Sequence, residues 1–156
     1  MTKTNAMRKL DSLKVKYDVH SYADTDAISG VDVAAVLGED PDKVYKTLVT
    51  SGKSGLHYVF IIPVSEELDL KKAAKASGEK SVEMIKAKEL LPLTGYIHGG
   101  CSPIGMKKAF KTFIHETAEN HEKIYVSAGK IGYQLELAPE DLKKAIFFTG
   151  CDLIKE

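Results

Sequence analysis

Apolar positions recur every three or four residues near the start of the chain and every second residue through its middle. These two periods divide the chain into helices and strands. Ala6, Leu10 and Leu13 fall on one face of a helix over residues 4 to 16, with Lys and Arg around them. Residues 17 to 23 suit a strand that leads into the polar turn ADTDAISG. VDVAAVL (31–37) predicts a short helix with Gly38 as its stop. Asp40-Pro41 starts another helical turn, with Asp as cap and Pro at the first position.

YKTLVTS (45–51) and HYVFIIPV (57–64) are β-rich runs joined by GKSGL, a hairpin with a loop longer than the minimal two residues. Asp69 caps a helix through LKKAAKAS, closed by Gly78, and KAKELL is a second short helix that ends before Pro92. TFIHET, KIYVSAG and YQLELA read as three more strands, the last two joined by a turn at 129–132. Pro139 opens a final short helix, PEDLKKA. Helices and strands are interspersed, with hairpins among the strands. The pattern predicts a mixed α/β (α+β) domain and not a regular βαβ repeat, so a doubly wound nucleotide fold is not expected. No repeat, low-complexity segment or linker divides the chain, and a single domain over residues 1–156 is expected.

Composition narrows the function. The 22 basic and 22 acidic residues cancel, so no overall field draws in a polyanion. Contact with a nucleic acid would be local, to an end or a loop. Two cysteines, Cys101 and Cys151, fall short of the dense framework of small secreted domains. The segment MTKTNAMRKLDSLKVKY lacks the apolar core of a signal peptide, and the run Tyr58–Val64 is too short to span a bilayer. A reduced, cytoplasmic protein with no membrane association is expected.

The candidate chemistry centres on GYIHGGCSPIGMKK (95–108), where Gly99, Gly100 and Pro103 frame Cys101 and His98 stands three residues earlier. His98-x-x-Cys101 has ligand spacing, but no second pair completes a zinc site, and His115-Glu116 is followed by His121, not by a histidine four residues on. No metal and no cofactor is expected. A thiolate at Cys101 would need a base or a positive environment, and a buried inert cysteine is the commoner outcome. Gly52-Lys53-Ser54 is like the end of a phosphate loop, yet position 47 is threonine and a strand follows. A hairpin turn explains it.

Lys46 alternates with Leu48 on one side of its strand, against Tyr45 and Thr47 on the other. It is either an edge lysine in water or a fixed cation suited to a phosphate or a developing oxyanion. Gly95, Gly99, Gly100 and Gly105 permit positive φ and close approach, and exposed N–H groups there could polarise a carbonyl. Ser127-Ala128-Gly129 is a second small-residue loop. Lys71, Lys72 and Lys75, then Lys107, Lys108 and Lys111, then Lys143 and Lys144 read as solvated faces. The middle group would hold a nucleic-acid backbone if it lay beside a pocket.

In their order and spacing these pieces resemble the YbaK/EbsC family of bacterial Cys-tRNA(Pro) deacylases, related to the editing domain of some prolyl-tRNA synthetases. The likeness spans nearly the whole chain: Tyr22 before the polar turn, DPDKVYKTLV with Lys46-Thr47-Leu48, LDLKKAAKASGEKSVEM, the Gly-x-x-x-Pro signature at Gly99 and Pro103, and IYVSAGKIGYQLELAPEDL with Ser127. The resemblance implies a strongly curved, partly barrel-like mixed β-sheet flanked by helices. It implies trans-editing that removes mischarged cysteine from Cys-tRNA(Pro), with Cys-tRNA(Cys) as a further candidate substrate, the substrate's own thiol attacking its ester. Lys46 and Gly99 would be catalytic, and Tyr22, Thr47, Gly100, Pro103 and Ser127 would bind substrate. The partners implied are the aminoacylated tRNA 3′ end and prolyl-tRNA synthetase. The alternatives are an Ala-tRNA(Pro) deacylase or a non-catalytic module that binds tRNA ends or the synthetase. One departure stands out: relatives often carry an aromatic in the polar turn, where this chain has Ile28 and Ser29.

Overall fold

The computed structural model describes residues 2–156. Its strands form two sheets. The larger has five strands in the order β4 (Val82–Met84), β2 (Tyr45–Gly52), β3 (His57–Pro63), β5 (Lys111–His115) and β8 (Thr149–Cys151). β2 pairs antiparallel with β3 and β4, while β3–β5 and β5–β8 are parallel. The smaller sheet is antiparallel, with β7 (Tyr133–Leu137) between β1 (Asp18–Ser21) and β6 (Ile124–Ser127). A parallel bridge between Val44 and Tyr125 joins the sheets edge to edge. The mixed architecture is the one expected, resolved into two sheets and not a closed barrel.

The apolar run of β3 is explained by its central position. Val59 and Ile61 enter the main core with Val49, Ile114, Val126, Leu135 and Leu142. Phe60 and Ile62 point to the opposite face, against Phe113, Leu153 and the helix α3 (Leu70–Ser77) through Ala73 and Ala74. A strand buried on both faces reads as a continuous apolar stretch, because alternate side chains meet apolar surface either way. Pro63 lies opposite Tyr45, at the end of that pairing, where its missing N–H removes no bond to β2.

Several helix boundaries follow their caps. Asp69 accepts from the N–H groups of Lys71 and Lys72, and Gly78 ends α3 at φ 78°. Ser29 caps α2 (Gly30–Leu37) by accepting from Asp32 N–H, and Gly38 ends it at φ 67°. Asp40 caps a 3₁₀ turn over Pro41–Lys43.

Other boundaries differ from expectation. The first helix, α1, is Asn5–Ser12 and not 4 to 16, and its buried face is Ala6, Met7 and Leu10, while Leu13 is exposed. Lys14 adopts φ 57°, its N–H bonds Asp11 O, and Val15 N–H bonds Leu10 O. This is a Schellman stop, with Val15 packed in the same core as Leu10. The helix α4 (Ala87–Thr94) continues through Pro92. The proline removes the bond to Lys88 O, and Lys88 is exposed, so water can satisfy that carbonyl. β5 ends at His115 and a 3₁₀ turn, Glu116–Asn120, follows. The last helix, α5, is Pro139–Ala145 as expected.

Candidate functional site

The seam between the two sheets holds a cavity of about 770 Å³, within the range of small-ligand sites. Its walls come from β2, the start of α2, the segment 84–90, the loop 98–101 and the ends of β6 and β7. Tyr22, Lys46, Thr47, Gly99 and Ser127 all line it. Five of the seven residues singled out by sequence therefore meet in one place, though they are spread over more than a hundred positions.

β2 supplies an edge. β4 pairs with it only at Thr50–Gly52, and the bridge to β6 lies at Val44, so the stretch between has no neighbouring strand on that side. Ile85 N–H bonds Val49 O, which fixes the odd-numbered peptides of β2 as those that face away from β3. The Thr47 peptide consequently lies on the open edge, against the cavity. Thr47 Oγ1 is buried and has no hydrogen-bond partner among the described residues.

Lys46 stands opposite Ile62 and shares its face of the sheet, partly buried. Burial pushes its pKa down, and the charges of Glu67 and Glu66 act against that shift. Among the described residues no carboxylate lies within ion-pair distance of its ammonium. A partly desolvated cation without a fixed partner is available for a negatively charged ligand.

The loop side works through its backbone. Gly99 has φ 85°, a conformation that favours glycine, and a Cβ there would lie 3.2 Å from Ile28 Cγ2. Gly100 N–H bonds Ile97 O, whereas the N–H groups of Gly99 and Cys101 meet no acceptor among the described residues. Gly100 and Pro103 do not line the cavity, although the sequence put them with the substrate-binding residues. A Cβ on Gly100 would press on the backbone of Lys130 and Ile131, and Pro103 is buried beneath the loop. Both residues shape the loop that carries Gly99.

Cys101 and His98 also line the cavity. Burial raises the Cys101 thiol to about 12, and the His98 ring is exposed with no partner among the described residues. The thiol is therefore protonated at neutral pH, the reverse of what a nucleophile needs. His115 is buried elsewhere, its Nδ1 accepting from Leu153 N–H.

Tyr22 N–H bonds Gly132 O, which ties the end of β1 to the 129–132 turn. Its hydroxyl has no protein partner among the described residues. Ser127 Oγ accepts from Gly129 N–H, so its own proton remains free. Ile28 and Ser29 line the mouth where an aromatic was missed in the sequence. None of the three lysine groups lines the cavity. Lys107 packs on Gly95, at the loop's start, and Lys72 bonds Asp152 and Ile154 O away from it. Sequence reasoning did not find Val31, Met84, Lys86, Tyr133 or Gln134, which complete the walls. The one available signal was the alternation of YQLELA, which places Gln134 on the polar face of its strand.

Comparison with known proteins gives a consistent picture. The aminoacyl-tRNA editing domain family matches residues 22–145. EbsC of Enterococcus faecalis, provisionally named a Cys-tRNA(Pro)/Cys-tRNA(Cys) deacylase, is 52% identical over 139 residues, covering 88% of this chain and 85% of that protein. A proline–tRNA ligase of Pelobacter propionicus is 32% identical over 97 residues, which are 62% of this chain and 17% of the ligase. A solved structure described provisionally as a trans-editing enzyme for prolyl-tRNA synthetase superposes with a TM-score of 0.84 at 21% identity, covering all of both chains.

Proposed function

The chain belongs to the aminoacyl-tRNA editing domain family, and from that premise we propose that it is a free-standing deacylase that removes cysteine from Cys-tRNA(Pro), and from Cys-tRNA(Cys) as a further substrate, by letting the substrate thiol attack its own ester. The observation that carries this reading is a cavity with an unpaired, partly desolvated Lys46 and a free Gly99 amide, whose only lining thiol is held protonated at a pKa of about 12. Such a site can bind, orient and stabilise charge, but it offers no activated side-chain nucleophile.

In the reaction the substrate sulfur bonds to the ester carbonyl carbon, and the bond from that carbon to the ribose oxygen breaks. The thiol proton ends on the departing ribose hydroxyl. The immediate product is a cyclic thiolactone, which water later opens to cysteine. Holding thiol and carbonyl in attacking geometry recovers up to about 7–11 kcal/mol of barrier without help from a protein nucleophile. Gly99 N–H stabilises the oxyanion, and Lys46 holds the terminal adenosine or its phosphate and the developing negative charge. Tyr22, Thr47 and Ser127 line the pocket around the aminoacyl group. The need for a second site follows from the similar size of cysteine and proline, which a synthetase pocket discriminates weakly.

The test incubates the pure protein with Cys-tRNA(Pro) and Ala-tRNA(Pro). Loss of the cysteinyl ester, with a thiolactone trapped before free cysteine appears, is the expected result. Two stable esters would leave a binding module without catalysis, and loss of the alanyl ester alone would move the protein to alanine editing. The balanced charge of the chain favours a partner that grips the tRNA body. Prolyl-tRNA synthetase in the cytoplasm is that partner, and its addition should lower the KM for Cys-tRNA(Pro).

A further inference from the structure

The chain carries as many acidic as basic residues, yet the cavity does not share that balance. Lys46 and Lys86 line it, and no Asp or Glu does. A cleft lined by one sign of charge attracts the opposite sign whatever the net charge of the protein. One more cation stands beside it. Lys130 is exposed in the turn at 129–132, and its ammonium lies 5.5 Å from the centroid of the Tyr133 ring. Tyr133 is itself a lining residue. Among the described residues no carboxylate lies within ion-pair distance of Lys130.

The fold fixes where Lys130 stands. Tyr133 N–H bonds Lys130 O at 3.3 Å, Ala128 N–H bonds Tyr133 O at 3.2 Å, and Gly129 N–H bonds Ser127 Oγ at 3.1 Å. The Tyr133 ring packs on the main core, so the surface under the ammonium is anchored. The turn also lies directly against the loop that carries Gly99. A Cβ on Gly100 would stand 3.3 Å from Lys130 Cα and 3.1 Å from Ile131 N. The Ile131 side chain in turn comes within 3.5 Å of the Cβ position on Gly99. Lys130 is therefore a cation on the loop side of the mouth, next to the segment that offers the Gly99 amide, whereas Lys46 comes from β2.

An aminoacylated tRNA carries its ester on the ribose of the terminal adenosine and a phosphate at the 5′ end of the same nucleoside. With the ester carbonyl at Gly99, inside the cavity, the phosphate falls outside it, beside the mouth. The cation that meets it must be exposed and close to the Gly99 loop. Lys46 is partly buried in the strand wall, and Lys130 meets both conditions. We propose that Lys130 holds the 5′ phosphate of the terminal adenosine, which leaves Lys46 for the charge that develops at the ester. This assignment rests on the deacylase reading above. An exposed cation–π contact is weak, so the ammonium is readily turned to an anionic oxygen. The ring meanwhile limits the freedom of the lysine stem, and less is lost when the phosphate arrives.

The experiment compares two small substrates, the 3′-cysteinyl esters of adenosine and of adenosine 5′-monophosphate, which differ only in the phosphate. Each rate is corrected for the uncatalysed loss of that ester. The wild-type protein should prefer the phosphorylated ester by about 10-fold in kcat/KM, the low end for a hydrogen bond to a charged group. The difference should lie in KM, and added salt should shrink it. Lys130→Gln should bring the ratio close to one by raising the KM of the phosphorylated ester, and Lys130→Arg should keep the preference. A wild-type ratio near one overturns the proposal while the deacylase reading stands. A folded Lys130→Gln variant with the preference intact also overturns it and gives the phosphate to another cation. If the protein cleaves Cys-tRNA(Pro) but neither small ester, the salt dependence of KM for the tRNA decides. Lys130→Gln should lower the slope of log KM against log salt by about one, and an unchanged slope overturns the proposal. Failure of the wild-type protein to cleave any of the three esters removes the deacylase reading and the proposal with it.

Discussion

On one wall of the cavity, β2 and β7 present Lys46, Thr47 and Gln134, and on another the loop 98–101 presents Gly99 and Cys101. The strand wall offers side chains with unsatisfied capacity: a partly desolvated cation and two buried oxygens without partners among the described residues. The loop wall offers its main chain, and the reactive-looking thiol it carries is held protonated by burial. The two walls should therefore respond to different substitutions. Truncating a side chain should hurt the strand wall, and adding a Cβ should hurt the loop.

The largest effect is expected at Lys46. Loss of one preorganised charge-stabilising group costs about 10²–10³ in kcat, so Lys46→Ala should leave folded protein with turnover reduced by that factor in a single-turnover assay. Stability should move the other way. Burial lowers the Lys46 pKa below 10.5, so the unfolded chain binds its proton more tightly than the native one does. The burial cost is felt in full below the native pKa and is relieved as pH rises from there through 10.5. Lys46→Met should accordingly raise Tm at pH 7, and the gain should vanish above pH 10.5. A wild-type protein more stable than Lys46→Met at pH 7 would mean that the lysine has a structural partner after all.

Next in size is the loop. Gly99→Ala puts a Cβ at φ 85°, which costs roughly 1–2 kcal/mol for a residue with a side chain. The new Cβ would lie 3.2 Å from Ile28 Cγ2, an exposed side chain that can move aside, so the backbone term dominates. The loop would relax to relieve that strain and turn the Gly99 amide away from the carbonyl. About a tenfold fall in kcat is expected, at 1.4 kcal/mol per factor of ten, with KM little changed. Gly129→Ala is the comparison: its Cβ would meet Tyr96 Cε1 at 2.7 Å, inside the fold, so its loss should appear as a lower Tm.

The legibility of these parts differs for physical reasons. Caps and stops such as Asp69 and Gly78 were readable because each acts within one helical turn. β4 and β8 were not readable, since three residues carry no period and these strands exist only through pairing with β2 and β5. The stop at Lys14 escaped notice because a lysine gives no sign of a left-handed conformation. At the site, Lys46 and Gly99 stood out as a cation in a strand and a glycine in a tight loop. Gln134 did not, because an orphaned oxygen is a property of what surrounds it in three dimensions. Gly100 and Pro103 belong to the same signature but lie outside the cavity lining: a signature marks where a loop is shaped as readily as where it touches a ligand.

The smallest effect on turnover is expected at Cys101, and that makes it the sharpest contrast with Lys46. Cys101→Ser replaces a buried, protonated thiol among Leu90, Tyr96 and Ile104 by a more polar hydroxyl. The shorter hydroxyl is poorly placed for the long thiol contact to Ser102 O, so its burial costs about 1–3 kcal/mol, visible as a lower denaturation midpoint with an unchanged m-value. On the proposed route, in which the attacking sulfur belongs to the substrate, turnover of Cys-tRNA(Pro) below the new midpoint should persist. Cys101→Ala, which adds no polar atom, should fold and turn over as well. An inactive but folded Cys101→Ala would place the nucleophile in the protein, and the loop would then act through a side chain as the strand wall does.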